Sequence, residues 1–73
     1  MNDDAIPNAT GGSSTTEKLR EASSTCYGRY SCEIATSTFQ AGDIMWLTSN
    51  TGSCPTRINY QGTTWKYKDQ CSC

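Results

Sequence analysis

The chain has 73 residues, six Lys or Arg against seven Asp or Glu, no histidine and a formal net charge of −1. One domain is the limit at this length, and so short a chain buries only ~60% of the surface its unfolded form exposes, which excludes a large hydrophobic core. The scattered cations offer only a small basic patch near the final strand, less than nucleic-acid phosphates demand, and no run approaches the ~20 apolar residues of a membrane-spanning helix, so neither nucleic acid nor membrane insertion is expected.

The chain opens with Met1-Asn2-Asp3-Asp4, without the basic start and apolar run of a signal peptide, so the expectation is a mature form preceded by an expression methionine. Residues 1–14, MNDDAIPNATGGSS, are small and polar apart from one isoleucine; they bury too little to offset the entropy of ordering and are expected to form a flexible tail. Within them Asn8-Ala9-Thr10 is a glycosylation sequon, in keeping with secretion. Ser14 followed by Glu17 makes a capping-box pattern ahead of good helix formers, predicting a short helix over 15–22 with Leu19 and Ala22 to dock it.

From Cys26 the pattern turns to β and the region 26–73 reads as strands. In YSCEIATSTF, Cys32, Ile34, Thr36 and Thr38 fall on one face with Glu33, Ala35, Ser37 and Phe39 on the other, predicting a first strand. After a turn at Gly42, the apolar run near Ile44–Thr48 predicts a central strand. After another turn at Asn50–Gly52, residues Arg57–Tyr60 and Thr63–Tyr67 flank Gln61-Gly62 as a hairpin, with Ile58 and Tyr60 on one face of the first strand and Thr63, Trp65 and Tyr67 on one face of the second. The expected fold is a small disulfide-rich, mostly β domain spanning 15–73: a four-stranded antiparallel meander, or a small sandwich or barrel, after a short N-terminal helix and a flexible tail.

Five cysteines without zinc-type spacing read as a disulfide framework in an oxidising compartment, with no metal or other cofactor. Cys71 and Cys73 sit two apart, and the α-carbons of such a pair in a strand lie roughly 7 Å apart, at or beyond the limit for bridging. Each is therefore expected to pair elsewhere, clipping the end of the chain to two other places. Cys26 and Cys54 are the preferred partners and Cys32 the odd cysteine, buried and inert or bridging two molecules; spacing alone leaves the connectivity open.

The lack of histidine removes the Ser-His-Asp and Cys-His arrangements, the carboxylates stand apart, and no glycine-rich phosphate loop is present, so catalysis is not expected. What stands out instead is aromatic and basic. Tyr27, Arg29, Tyr30, Arg57, Trp65, Lys66 and Tyr67 belong to the residue types that dominate binding hot spots or accompany them as cations, and they are the expected partner-binding set.

CYGRYSC followed by Cys54-Pro55 and further cysteines resembles part of the invertebrate-type chitin-binding module, which implies an aromatic ring stacked on a sugar; that module's first cysteine has no counterpart here. FQAGDIMWL and GSCPTRINYQG, in a cysteine-clipped chain of this size, are similar in style to small β-sandwich effectors secreted by plant-pathogenic fungi, over about fifty residues and without a diagnostic motif. The sequence thus predicts a secreted, extracellular, non-enzymatic recognition protein, effector-, toxin- or ligand-like, binding a protein partner as a monomer or disulfide-linked dimer. The alternatives are a small carbohydrate-binding module of chitin type and an assembly subunit joined through the odd cysteine.

Overall fold

The structure, a computed structural model, describes residues 6–13 and 26–73. The expected helix over 15–22 lies outside these residues. Five strands form one antiparallel sheet: β1 Thr10–Ser13, β2 Cys26–Cys32, β3 Ile44–Ser49, β4 Arg57–Tyr60 and β5 Thr63–Ser72, in the spatial order β1-β3-β2-β5-β4. Among the described residues no helix is long and apolar enough to cross a membrane.

Three expectations are corrected. The order is not that of a meander, because β5 returns to pair with β2, so that β2 and β5 stand between β3 and β4, which a meander would pair. The strand expected over Cys32–Phe39 ends at Cys32, and residues 33–43 form a loop. Its threonines and acidic residue bond locally instead of joining a ladder: the Thr36 hydroxyl accepts from the Thr38 and Phe39 N–H groups, and the Asp43 carboxylate accepts from the Gln40 N–H. Such short polar side chains offer the backbone an alternative to the sheet.

The third correction concerns the tail, which supplies the fifth strand. Thr10–Ser13 pairs with β3, while just upstream the Ala9 N–H donates to the Asn59 carbonyl and the Asn59 N–H to the Pro7 carbonyl, both at 2.8 Å. The sheet therefore curls until residues 7–13 touch β3 on one side and the far edge strand, β4, on the other. Glycine makes this approach feasible: a Cβ at Gly12 would lie 2.7 Å from Leu47 Cδ2 and 3.1 Å from both Met45 Cε and Tyr60 Cζ. Because Leu47 is fully buried and has little room to shift, Gly12→Ala is expected to destabilise the protein by ~1–3 kcal/mol, as overpacking does elsewhere. Chemical denaturation measures this, and an unchanged midpoint would show that the seam is not closed as described.

Inside the curl, Tyr30, Cys32, Leu47, Ile58 and Trp65 form the core, with Ala9, Phe39, Met45, Tyr60 and Tyr67 packed against it. Alternation along β2 and β3 sends Tyr27 and Trp46 to the other face, where both are also buried. The β4–β5 hairpin turns as its sequence implies: Gln61 and Gly62 both take positive φ, 55° and 83°, the conformation of a two-residue turn that follows the twist of its strands. Its inward pairs are Ile58 opposite Trp65 and Tyr60 opposite Thr63.

Disulfides hold the opposite end. Cys26 is joined to Cys73 and Cys54 to Cys71, while Cys32 is a buried free thiol. The register that sets Tyr27 opposite Ser72 brings the start of β2 beside the end of the chain, and the second bridge ties the β3–β4 connection to β5. A Cβ at Gly28 would lie 2.6 Å from the Tyr30 ring and 3.3 Å from Cys54 Sγ, so this glycine makes room for both.

Candidate functional site

The aromatic residues of the expected binding set divide sharply by burial. Tyr30 and Trp65 lie in the core and Tyr27 is buried on the sheet's other face, so none of the three presents its ring to a partner. Tyr67 is half-buried, its ring meeting Tyr30 edge-on at 5.8 Å. Their energetic role is structural because a chain with so few aliphatic side chains fills its interior with rings. The Trp65 indole N–H donates to the Tyr60 carbonyl at 3.2 Å, and the Tyr30 hydroxyl donates to the Pro55 carbonyl at 2.6 Å.

Burial, with the neighbouring Tyr67, pushes the Tyr30 phenol up to about 12 from its ordinary value of 10.0. A group whose folded pKa is raised adds stability that is complete below its unfolded pKa and is lost as pH rises through the folded one. The protein is therefore expected to lose stability between about pH 10 and 12. Tyr30→Phe should soften that alkaline loss while costing ~1–3 kcal/mol at neutral pH, through the acceptor left unpaired at Pro55. Denaturation midpoints of both proteins across this range provide the check; parallel pH profiles would contradict the assignment.

Two basic residues of the set, Arg57 and Lys66, do come together, on the outer face of β4 and β5. Lys66 stands opposite Arg57 on one side and Ser31 on the other, and in the next row Asn59 stands opposite Thr64. Like charges directly opposed across strands repel. Glu33 relieves this: the Arg57 Nε–H is shared between its two carboxylate oxygens at 2.9 and 3.1 Å. The hydrogen bond from Arg57 holds the Glu33 carboxyl below its ordinary value, against some desolvation, with help from Thr64 and the charges of Arg57 and Lys66. Arg29 lies further along β2 and is held by Asp69 through two hydrogen bonds of 3.0 and 3.2 Å. That aspartate belongs to the stretch of β5 where the register with β2 shifts.

Sequence reasoning missed the residue that the fold exposes most plainly. Ile34 was expected on a strand, yet it lies in the 33–43 loop and is 65% exposed, beside Glu33 and its partner Arg57. Its backbone is firmly anchored: the Ile34 carbonyl accepts from the Thr63 hydroxyl at 2.7 Å and from the Cys32 thiol at 3.3 Å, and the Glu33 N–H donates to the Thr64 carbonyl at 3.0 Å. Across the same loop, half-buried Phe39 meets Trp65 edge-on at 5.1 Å and Tyr60 at 6.0 Å. Phe39, Tyr60 and Tyr67 thus form the partly exposed margin of the aromatic cluster. The only advance signal for Ile34 lay in its polar neighbours, threonine and serine, which favour turns as readily as strands.

Among the described residues no group of three or more Cys, Asp or Glu converges as a metal site. In comparison with known proteins, no family model, curated protein or solved structure matches this chain. What the geometry establishes is a compact, disulfide-stabilised β domain with an aromatic cluster at its surface margin, beside which lie the exposed Ile34, Arg57 and Lys66.

Proposed function

We propose that this chain is a secreted, non-catalytic recognition domain that binds a partner protein through Ile34 and the neighbouring Glu33, Arg57 and Lys66. The observation that carries this reading is the exposed aliphatic side chain of Ile34, fixed on an anchored loop next to an arginine that is oriented by its own carboxylate. Protein interfaces combine an apolar centre with arginine and a polar rim, and a pre-ordered loop loses little entropy on binding. Lys66 and Arg57 favour an acidic surface on the partner, which makes association dependent on salt.

Sugar binding is the weaker reading. A stacking platform needs exposed coplanar rings, whereas the rings of the cluster formed by Tyr30, Phe39, Tyr60, Trp65 and Tyr67 meet edge-on or tilted, at 46° to 81°. Assembly through the odd cysteine is also disfavoured, because Cys32 is buried and its thiol is directed to the Ile34 carbonyl.

The test uses wild-type protein, Ile34→Asp, and the double variant Arg57→Glu with Lys66→Glu, each verified by mass to retain both disulfides. They are screened against displayed extracellular protein domains and against a glycan array. A protein binder weakened at least ~10-fold by either change, and weakened by added salt, is the expected result. Binding to a glycan, or protein binding that survives both changes, would overturn the reading.

A further inference from the structure

The sequon Asn8-Ala9-Thr10 takes no part in the recognition face, yet the fold gives it a defined place. Hydrogen bonds from Ala9 to the Asn59 carbonyl and from Asn59 to the Pro7 carbonyl set Asn8 opposite Asn59 in a parallel bridge. Ala9 packs against the core, so alternation sends the neighbouring Asn8 side chain outward, and Asn8 is exposed. Asn59 shares its row with Thr64, next to the row that holds Arg57 and Lys66.

We infer that Asn8 is a site of N-linked glycosylation, with its glycan at the margin of the Arg57–Lys66 face. This rests on the secretory part of the function proposed above. The Asn8 amide nitrogen forms a bond to the anomeric carbon of a lipid-pyrophosphate-linked oligosaccharide. The bond from that carbon to the pyrophosphate oxygen breaks, the lipid pyrophosphate departs, and the amide gives up one proton; nothing is oxidised or reduced. Two features favour the transfer. The segment 7–9 cannot make its hydrogen bonds to Asn59 until β4 has been synthesised, so the acceptor is not yet tied into the sheet while the chain emerges. Once the seam closes, a bulky group on Asn8 projects away from the core and displaces none of it.

The test routes the chain through a eukaryotic secretory pathway behind an added leader, and measures intact mass before and after peptide-N-glycosidase treatment, in both secreted and retained fractions. The expected result is a mass exceeding that of the polypeptide by one oligosaccharide, removed by the glycosidase, and absent from Asn8→Gln and from Thr10→Ala. Protein with both disulfides formed but an unmodified mass would overturn the assignment, as would a glycosidase-sensitive mass that persists in Asn8→Gln. Both results leave the recognition reading intact, because that reading fails separately, through glycan binding or through protein binding that survives both the Ile34→Asp and the Arg57→Glu with Lys66→Glu changes.

Discussion

Removing the Cys26–Cys73 bridge by replacing both cysteines with alanine is expected to cost ~4 kcal/mol, and removing Cys54–Cys71 the same way ~3 kcal/mol. The difference follows from the lengths of chain enclosed, with sequence separations of 47 and 17, since a longer loop gains more freedom when it is released in the unfolded state. Domains of this kind have only ~5–15 kcal/mol of total stability, so full reduction should leave the chain largely unfolded at ambient temperature. Circular dichroism during thermal denaturation, with and without reductant, measures this directly. A reduced protein that keeps an unchanged cooperative transition would show that the core suffices by itself. Cys32→Ala serves as the control, since it removes a buried thiol while sparing both bridges.

Trp65→Ala is expected to destabilise the fold by ~3–5 kcal/mol, the usual cost of deleting a large buried ring. Trp65 is fully buried, opposes Ile58 across the hairpin, and is met edge-on by Phe39 and Tyr60. Deleting it opens a cavity shared by the sheet and the 33–43 loop. Ile34→Ala provides the contrast: at an exposed position a change within ~0.5 kcal/mol is expected. Urea denaturation of both variants separates the two roles. Similar losses from both would mean either that Ile34 is packed or that Trp65 is not central. The contrast matters for function as well, because lost binding in Trp65→Ala would report unfolding, whereas lost binding in a stable Ile34 variant reports the contact itself.

Only part of this arrangement can be read locally. The hairpin was legible because a two-residue turn and period-two alternation are properties of adjacent residues, and Gln61-Gly62 with Ile58, Tyr60, Thr63 and Trp65 carries both. The central strand was legible for the same reason; Ile44–Ser49 is an apolar run bounded by turns. The 33–43 loop was not, because Ile34, Thr36 and Thr38 alternate as a strand would, and only the local bonds of the Thr36 hydroxyl and the Asp43 carboxylate decide otherwise. Likewise Tyr and Trp serve equally well in cores and in interfaces, so composition selected Tyr27, Tyr30 and Trp65 as binding residues where burial assigns them to packing. Arg57 and Lys66 became neighbours through the hairpin register, which alternation around Gln61-Gly62 already implied.

By itself the sequence determined the class of the molecule: a small β domain that needs disulfides, because 73 residues with 34% hydrophobic content cannot bury enough surface without them. It also determined that Cys71 and Cys73 reach outward, since strand geometry keeps residues two apart from bridging. The tertiary structure alone decided the strand order, the use of Thr10–Ser13 as the closing strand and the exposure of Ile34. These depend on contacts between residues distant along the chain, such as Gly12 with Leu47 and Ile34 with Thr63, whose fit is a matter of shape. A glycine-rich segment offers too little side chain to reveal a strand locally, and that same smallness is what lets its backbone close against the core.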